Sequence, residues 1–242
     1  MIEYGSLNSN DTVLDIGAGL GFLTRMIAKK CKKVIAVEIQ RALVEALEAN
    51  LAGFQNVTIL SGNILKLSVP DFGKVISIPP YGLSSHLLSW LFERNFECSL
   101  LIFQKEFADR LTAAIGSKEY GWLSVVNYFY TETELLDKVP SSSFYPPPKV
   151  DSVIVRLARR NPPFDVKDEK LFSQLTRSLF TQRNKKVRSA AVTFLRRSKK
   201  LSKQSAAEIA HRLPFSEKRV RELAPEDFGV LSNAFNEEES AF

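Results

Sequence analysis

Three glycines at alternate positions, Gly17, Gly19 and Gly21, separate an apolar run that carries Asp15 from a helical pattern beginning at Phe22. Glycines so placed let the backbone turn tightly and let a ligand approach where a Cβ would clash. Glu38 ends a second apolar run, Lys33-Val-Ile-Ala-Val37. It lies about 20 residues beyond the first glycine, where nucleotide-binding sheets put the acid that accepts from ribose hydroxyls. Each feature has a plainer reading as well. Glycine turns occur without ligands, and an acid at a strand end can simply cap the next helix. Taken together they point to a nucleoside-binding loop.

The glycine spacing that cradles a pyrophosphate is missing, because Phe22 and Leu23 follow Gly21. An adenosine ligand without a pyrophosphate is therefore favoured over a dinucleotide, and S-adenosylmethionine fits that description. Asn63, after Gly62, can accept from an exocyclic amine through its amide oxygen, or it can be an ordinary turn residue. Ile78-Pro79-Pro80-Tyr81 is a stiff turn, since each proline fixes φ. Such a turn would aim the Tyr81 ring and the neighbouring carbonyls at a planar substrate. Alone, it reads more simply as a proline-rich loop with a core tyrosine.

Strands are expected at Val13–Ile16, Val34–Val37, Val57–Leu60, Lys74–Ser77 and Ser99–Phe103. Helical periodicity runs through Phe22–Lys30, Ala42–Leu51 and Leu87–Phe92. That alternation predicts an α/β fold, a parallel sheet covered on both faces, with ligands beyond the carboxyl ends of its strands. Glu38, Asn63 and the 78–81 turn all fall on that rim.

After Asn161-Pro-Pro163, a linker signal, the pattern is helical at Asp168–Phe180, Lys185–Arg197, Lys203–His211 and Glu217–Leu223. The expected division is a sheet domain over 1–160 and a helical, RNA-binding domain over 164–242. Between Arg177 and Lys203 stand ten basic residues and no acid. Arg177, Arg183, Lys185, Lys186 and Arg188 open that run. A run of one sign is commonly a solvated face. In a chain with a base-modifying site it reads better as a phosphate track, and a net charge of +6 with a pI near 9.3 agrees with a polyanionic partner. Two cysteines form neither a disulfide framework nor a zinc site of the usual spacing, so a reducing cytosol is the default. No apolar run is long enough for a membrane span. His86 and His211 stand singly, and neither a metal nor a membrane is expected as a partner.

Further motifs carry a resemblance. Leu14-Asp-Ile-Gly-Ala-Gly-x-Gly-x-Leu-Thr24, Glu38 and Pro80-Tyr81 are joined by Phe103-Gln-Lys-Glu-Phe-Ala-Asp-Arg110 and Gly116-Ser-Lys-x-Tyr-Gly-x-Leu-Ser124. Phe144-x-Pro-x-Pro-Lys-Val-Asp-Ser152, Phe180-x-Gln-Arg183 and Val220-Arg-Glu-Leu-x-Pro225 complete the set. Over nearly its whole length the chain resembles the rRNA adenine N6-dimethyltransferases of the KsgA and Erm type. The resemblance implies a seven-stranded, Rossmann-like class I methyltransferase sheet with a small C-terminal all-helical domain. It also implies methyl transfer from S-adenosylmethionine to N6 of adenosine in ribosomal RNA. The long basic helical part favours the ribosome-biogenesis branch, which acts on small-subunit rRNA, and a monomer is the expectation.

Position by position, the resemblance places Asp15, Gly17, Gly19, Gly21, Glu38, Ile39, Asn63, Ile64 and Ser77 with the cofactor. Glu38 would hold the ribose, Ile39 and Ile64 would flank the adenine, and Asn63 would read its amine. Ile78, Pro79, Pro80 and Tyr81 form the catalytic turn, and Tyr81 with Phe144 would sandwich the target base. The family's turn opens with Asn, whose amide oxygen accepts from the target N6; here Ile78 stands there. Carbonyls of Pro79 or Pro80, or the Ser77 hydroxyl in a reshaped turn, are the replacement acceptors. Family members also carry a Gln-x-Phe-Leu segment ahead of the first strand, near the methionine end of the cofactor. Twelve residues precede Val13 here, so a more open pocket is expected. The rival reading is a non-catalytic RNA-binding assembly factor on the same fold.

Overall fold

A computed structural model describes residues 1–198 and 200–240. Its contacts divide the chain into two compact units. The first comprises Met1–Ala108 and Thr131–Arg159, and the second Asp109–Tyr130 and the chain from Arg160 onward.

The first unit is a seven-stranded sheet. Its strands are β1 (Thr12–Ile16), β2 (Lys33–Glu38), β3 (Val57–Ser61), β4 (Lys74–Ser77), β5 (Cys98–Gln104), β6 (Thr131–Val139) and β7 (Ser152–Arg159). They lie in the order β3-β2-β1-β4-β5-β7-β6. The first five pair in parallel, and β7 runs antiparallel to both of its neighbours. β4 and β5 are buried almost end to end, as strands covered on both faces must be, whereas the edge strand β6 is largely exposed. The α/β expectation and the strand count both hold. Val13, Val34, Ile76, Leu100 and Ile154 build one face of the core with Ile27 and Ala28 of α1 (Phe22–Ala28). Met1, Ile2 and Leu7 pack against the same cluster. Lys74, buried at the start of β4, ties that amino-terminal segment down. Its Nζ donates to Asp11 Oδ2 at 3.0 Å and to the Ser6 carbonyl at 3.1 Å.

Strand order reverses between β1 and β4, which lie side by side although β2 and β3 come between them in sequence. Neighbouring loops diverge at such a point and leave a crevice beyond the strands' carboxyl ends. The glycine loop leaves β1 there, and the Ile78–Tyr81 turn leaves β4. The sheet therefore brings the two motifs together.

Helices α2 (Arg41–Leu51), α3 (Ser84–Phe92) and α4 (Lys105–Leu111) follow β2, β4 and β5 along the chain, and the second unit is built mainly from α5 (Trp122–Tyr130), α6 (Glu169–Phe180), α7 (Val187–Ser198), α8 (Lys203–Arg212) and α9 (Pro225–Ser240). Phe129, Phe164 and Phe172 form one aromatic cluster in its core. Tyr120 and Phe228 pack on Phe180 to form a second. Two differences from the sequence reading stand out. A division at 160–164 leaves 109–130 with the sheet, but this segment packs with the helices, because Tyr120 and Phe129 are among their buried aromatics. The stretch Glu217–Leu223 is not a helix. It runs beside 183–188, with Val187 N donating to Lys218 O, Val220 N to Lys185 O and Arg221 N to Arg183 O, and only Val220–Glu222 makes a 3-10 turn. Backbone pairing there outcompetes a weak helical pattern. The following helix, α9, begins at Pro225, where a missing N–H costs nothing.

Candidate active site

The three glycines do three different jobs. Gly17 (φ +75°) meets the second motif: a Cβ on it would lie 3.1 Å from Pro80 Cδ and 4.0 Å from the Ile78 carbonyl oxygen. Its N–H and that of Ala18 both donate to Val37 O, pinning the loop to β2. A Cβ on Gly19 would have no neighbour closer than the Gly17 carbonyl at 4.0 Å, so Gly19 faces open space. Gly21 is different. A Cβ there would sit 2.6 Å from Leu47 Cδ1, so the absent side chain of Gly21 lets α2 (Arg41–Leu51) pack against the loop.

Glu38 is buried at the end of β2, and its carboxylate gathers the rim. Oε1 accepts from the N–H groups of Ile39 and Gln40 at 2.8 and 2.9 Å, and Oε2 accepts from Gly19 N at 3.0 Å. A carboxylate has about four lone-pair sites, so one on Oε2 stays free beside the open glycine. Asp15 is buried too and accepts from Thr24 Oγ1 at 2.7 Å, locking β1 to α1. Burial pushes its carboxyl up to about 7, with the Glu38 charge adding and the Thr24 bond opposing. The unfolded chain, with Asp15 near 3.8, loses this proton first, so ionising Asp15 destabilises the fold progressively as pH rises from about 4 to 7. Asp15→Asn should flatten that part of the stability profile, as read by thermal melts across pH; an unchanged slope would remove Asp15 as its cause.

Ile39 is 59% exposed on the rim, free to cover a flat ligand, while Ile64 is buried and offers at most the edge of a floor. Asn63 Oδ1 accepts from Leu65 N at 3.0 Å, the local bond of a turn asparagine, and keeps a second lone pair. Ser77 is not available. It is fully buried, its hydroxyl donates to Ile16 O at 2.6 Å and accepts from Ile16 N at 3.1 Å, and it thereby joins β4 to β1. Its side chain can serve neither as acceptor for the reacting amine nor as a cofactor contact.

Within the turn, Pro80 O accepts from Leu83 N at 2.9 Å, and Pro79 is buried, so neither proline offers an open carbonyl. The Ile78 carbonyl, whose oxygen lies 4.0 Å from where a Cβ on Gly17 would stand, is an acceptor that the residue types did not suggest. The Ile78 side chain is 38% exposed and contributes no polar atom. Tyr81 and Phe144 do come together, with ring centroids 6.4 Å apart, but their planes meet at 73°. A base cannot stack on both rings in that orientation, so the expected sandwich requires one ring to turn. Tyr81 OH is bonded to Ser152 Oγ at 2.8 Å, a partner that sequence reasoning did not single out.

The model of the ribosomal RNA adenine dimethylase family matches residues 2–226. The chain belongs to that family. Its relatives include a probable ribosomal RNA small subunit methyltransferase A of Methanosarcina acetivorans, 38% identical over 96% of this chain and 86% of the relative. The protein of that description in Thermococcus kodakarensis is 40% identical over 93% of this chain and 80% of its own length. Among solved structures, a dimethyladenosine transferase from Plasmodium falciparum superposes with a TM-score of 0.79 at 28% identity, covering 98% of this chain and 94% of that one. The 23S rRNA methyltransferase ErmE gives 0.67 at 26% identity, over 97% and 94%.

In this member of the dimethylase family the basic run of the helical unit is less free than its sequence suggests. Arg183 donates to Lys118 O and Ser117 O, both at 2.7 Å, and so clamps the Gly116–Lys118 loop. The Arg177 guanidinium lies 4.7 Å from the centre of the Trp122 ring. Lys186 and Arg188 each pair with Glu217 at 2.6 Å. Lys185 is exposed and has no ion pair among the described residues. The run contains no acid, but the fold brings one to it from about 30 positions downstream. Glu217→Gln should therefore release two cations and make RNA binding steeper in salt, by about one to two in the log–log slope. An unchanged slope would mean that Lys186 and Arg188 do not face phosphate.

Proposed function

We propose that this chain transfers methyl groups from S-adenosylmethionine to N6 of adenosines in small-subunit rRNA during ribosome biogenesis. One observation carries the reading: at the β1–β4 switch point Gly17 meets the stiff aromatic turn, and the open Gly19 beside it faces a free carboxylate lone pair of Glu38. A nucleoside cofactor and a planar substrate would meet there. The donor set fits an adenosine-type cofactor, since Glu38 Oε2 has an acceptor for a ribose hydroxyl, Ile39 an apolar cover for adenine and Asn63 an acceptor for its amine.

Bound S-adenosylmethionine supplies a methyl group that is electrophilic because it sits on a sulfonium. The chain's own residues orient the target. Tyr81 and Phe144 return to an extruded adenine the stacking it lost, about 1–3 kcal/mol per base–aromatic contact. The Ile78 carbonyl accepts from a hydrogen of N6 and directs its lone pair outward. No covalent nucleophile is needed, because alignment and preorganised acceptors lower the barrier of a direct transfer. The helical unit, residues 164–242 with the 109–130 insertion, would bind RNA through Lys185 and the cations around it. Specificity would come from RNA shape and position, with Arg177 and Arg183 supporting the surface from below. A monomer acting in the cytoplasm suits a ribosomal substrate and two buried free cysteines, Cys31 and Cys98. No described helix is long and apolar enough to cross a membrane, and no described group of side chains could hold a metal ion.

The rival, a binding factor without catalysis, is not favoured: the family and its relatives carry methyltransferase names. Calorimetry with S-adenosylmethionine and salt-dependent binding of small-subunit rRNA fragments test the proposal together. It expects saturable cofactor binding and RNA affinity that falls steeply with salt. Cofactor binding without RNA affinity would indicate a small-molecule methyltransferase, and the reverse would restore the rival.

A further inference from the structure

Tyr81 and Phe144 are not equivalent halves of the aromatic pair. Tyr81 is tethered, its hydroxyl 2.8 Å from Ser152 Oγ, while the half-buried Phe144 ring has no polar atom and is held only by apolar packing against the core cluster of the sheet. Ser152 makes a firm anchor. It is fully buried at the first position of β7, where its backbone is in register with Gln104 of β5 on one side and Val139 of β6 on the other. The remaining contacts of the turn add to the restraint: Ser84 Oγ donates to Tyr81 O at 2.8 Å, and Leu83 N donates to Pro80 O. Phe144 follows a single 3-10 turn, Ser141–Ser143, and precedes Tyr145, which is fully exposed.

We infer that Ser152 is a positioning residue: its hydroxyl fixes the plane of the Tyr81 ring, so that a base is admitted by rotation of Phe144 alone. This inference rests on the proposed role of the turn as the site of the target base. The tether matters because a stacking platform that librates about χ1 and χ2 spreads the position of N6, and methyl transfer is steep in that position. Ser152 would touch neither substrate nor cofactor, and its effect would pass through Tyr81.

The test is a double-mutant cycle with Ser152→Ala and Tyr81→Phe, alongside Tyr81→Ala, in the full chain. Tyr81→Phe keeps the ring and removes the bond, and Ser152→Ala removes the other partner. Each single change should lower kcat for methyl transfer to under-methylated small subunits by about 5- to 10-fold, the worth of one net hydrogen bond, with KM little changed. The double variant should be no worse than either single one, because both delete the same contact. A merely structural loss would not give that pattern, nor would it change the fluorescence of RNA carrying 2-aminopurine at the target position, which should be less quenched in both single variants. Additive losses, or singles as active as the parent while Tyr81→Ala is impaired, would overturn the tether. A silent Tyr81→Ala would instead overturn the placing of the base at this turn, so the two failures are distinguishable.

Discussion

Ile78→Asn is expected to raise the rate of methyl transfer by roughly 10²-fold without changing cofactor affinity. The turn holds the residue at the mouth of the crevice, with 38% of its surface exposed, so a polar side chain costs little there. Three nearby acceptors are compromised: Ser77 Oγ is buried and bonded to Ile16, Pro80 O accepts from Leu83 N, and Pro79 is buried. The Ile78 carbonyl is then left to carry most of the contact proposed for the reacting amine. An amide oxygen at position 78 would add a preorganised acceptor at the atom where charge develops, and mutagenesis of such groups commonly registers factors of ~10²–10³. Single-turnover kinetics with the same RNA for both proteins reads the effect. Equal rates would mean that the backbone already satisfies N6.

Glu38→Ala should be the most damaging single change to cofactor binding. Removing the carboxylate deletes the acceptor proposed for the ribose and strips hydrogen-bond partners from the N–H groups of Gly19, Ile39 and Gln40. Charge-assisted bonds are worth about 1.5–3 kcal/mol each, so cofactor affinity should fall roughly 10- to 100-fold. Because the Glu38 side chain is buried, the fold should lose about 1–3 kcal/mol as well. Calorimetry on the folded variant separates the two effects, with thermal melts checking stability. Undiminished affinity would remove Glu38 from the cofactor site.

The first five strands were legible because their apolar runs are short, β-rich and punctuated by glycine and proline, whereas β6 and β7 were not read from the residues. The rim beyond the strands' carboxyl ends was legible as the place of the 78–81 turn, but its convergence with the glycine loop needed the observed order, which sets β1 beside β4. Details set by partners distant in sequence were not legible. Gly21 looks like its two neighbours in the motif, and only the approach of Leu47 makes it a packing glycine. Ser77 looks like a free hydroxyl at a strand end until β1 comes alongside. Glu217 sits far from Lys186 and Arg188 in the chain, and backbone pairing of 216–221 with 183–188 carries it to them. The same holds for 109–130, whose helical and turn residues carry no mark of belonging with α6 and α9. Tyr120 OH donating to Leu223 O at 2.8 Å is one of the bonds that puts it there. Ser152 did carry a usable signal, as the last residue of the motif that begins at Phe144, but its partner Tyr81 lies 71 positions away.

The most direct measurement is methyl transfer from labelled S-adenosylmethionine to under-methylated small ribosomal subunits, followed by nuclease digestion and mass spectrometry. The expected product is N6,N6-dimethyladenosine, formed by two successive transfers at one adenosine. Subunits that bind the protein yet gain no methyl group would contradict methyl transfer as its function and leave a binding factor.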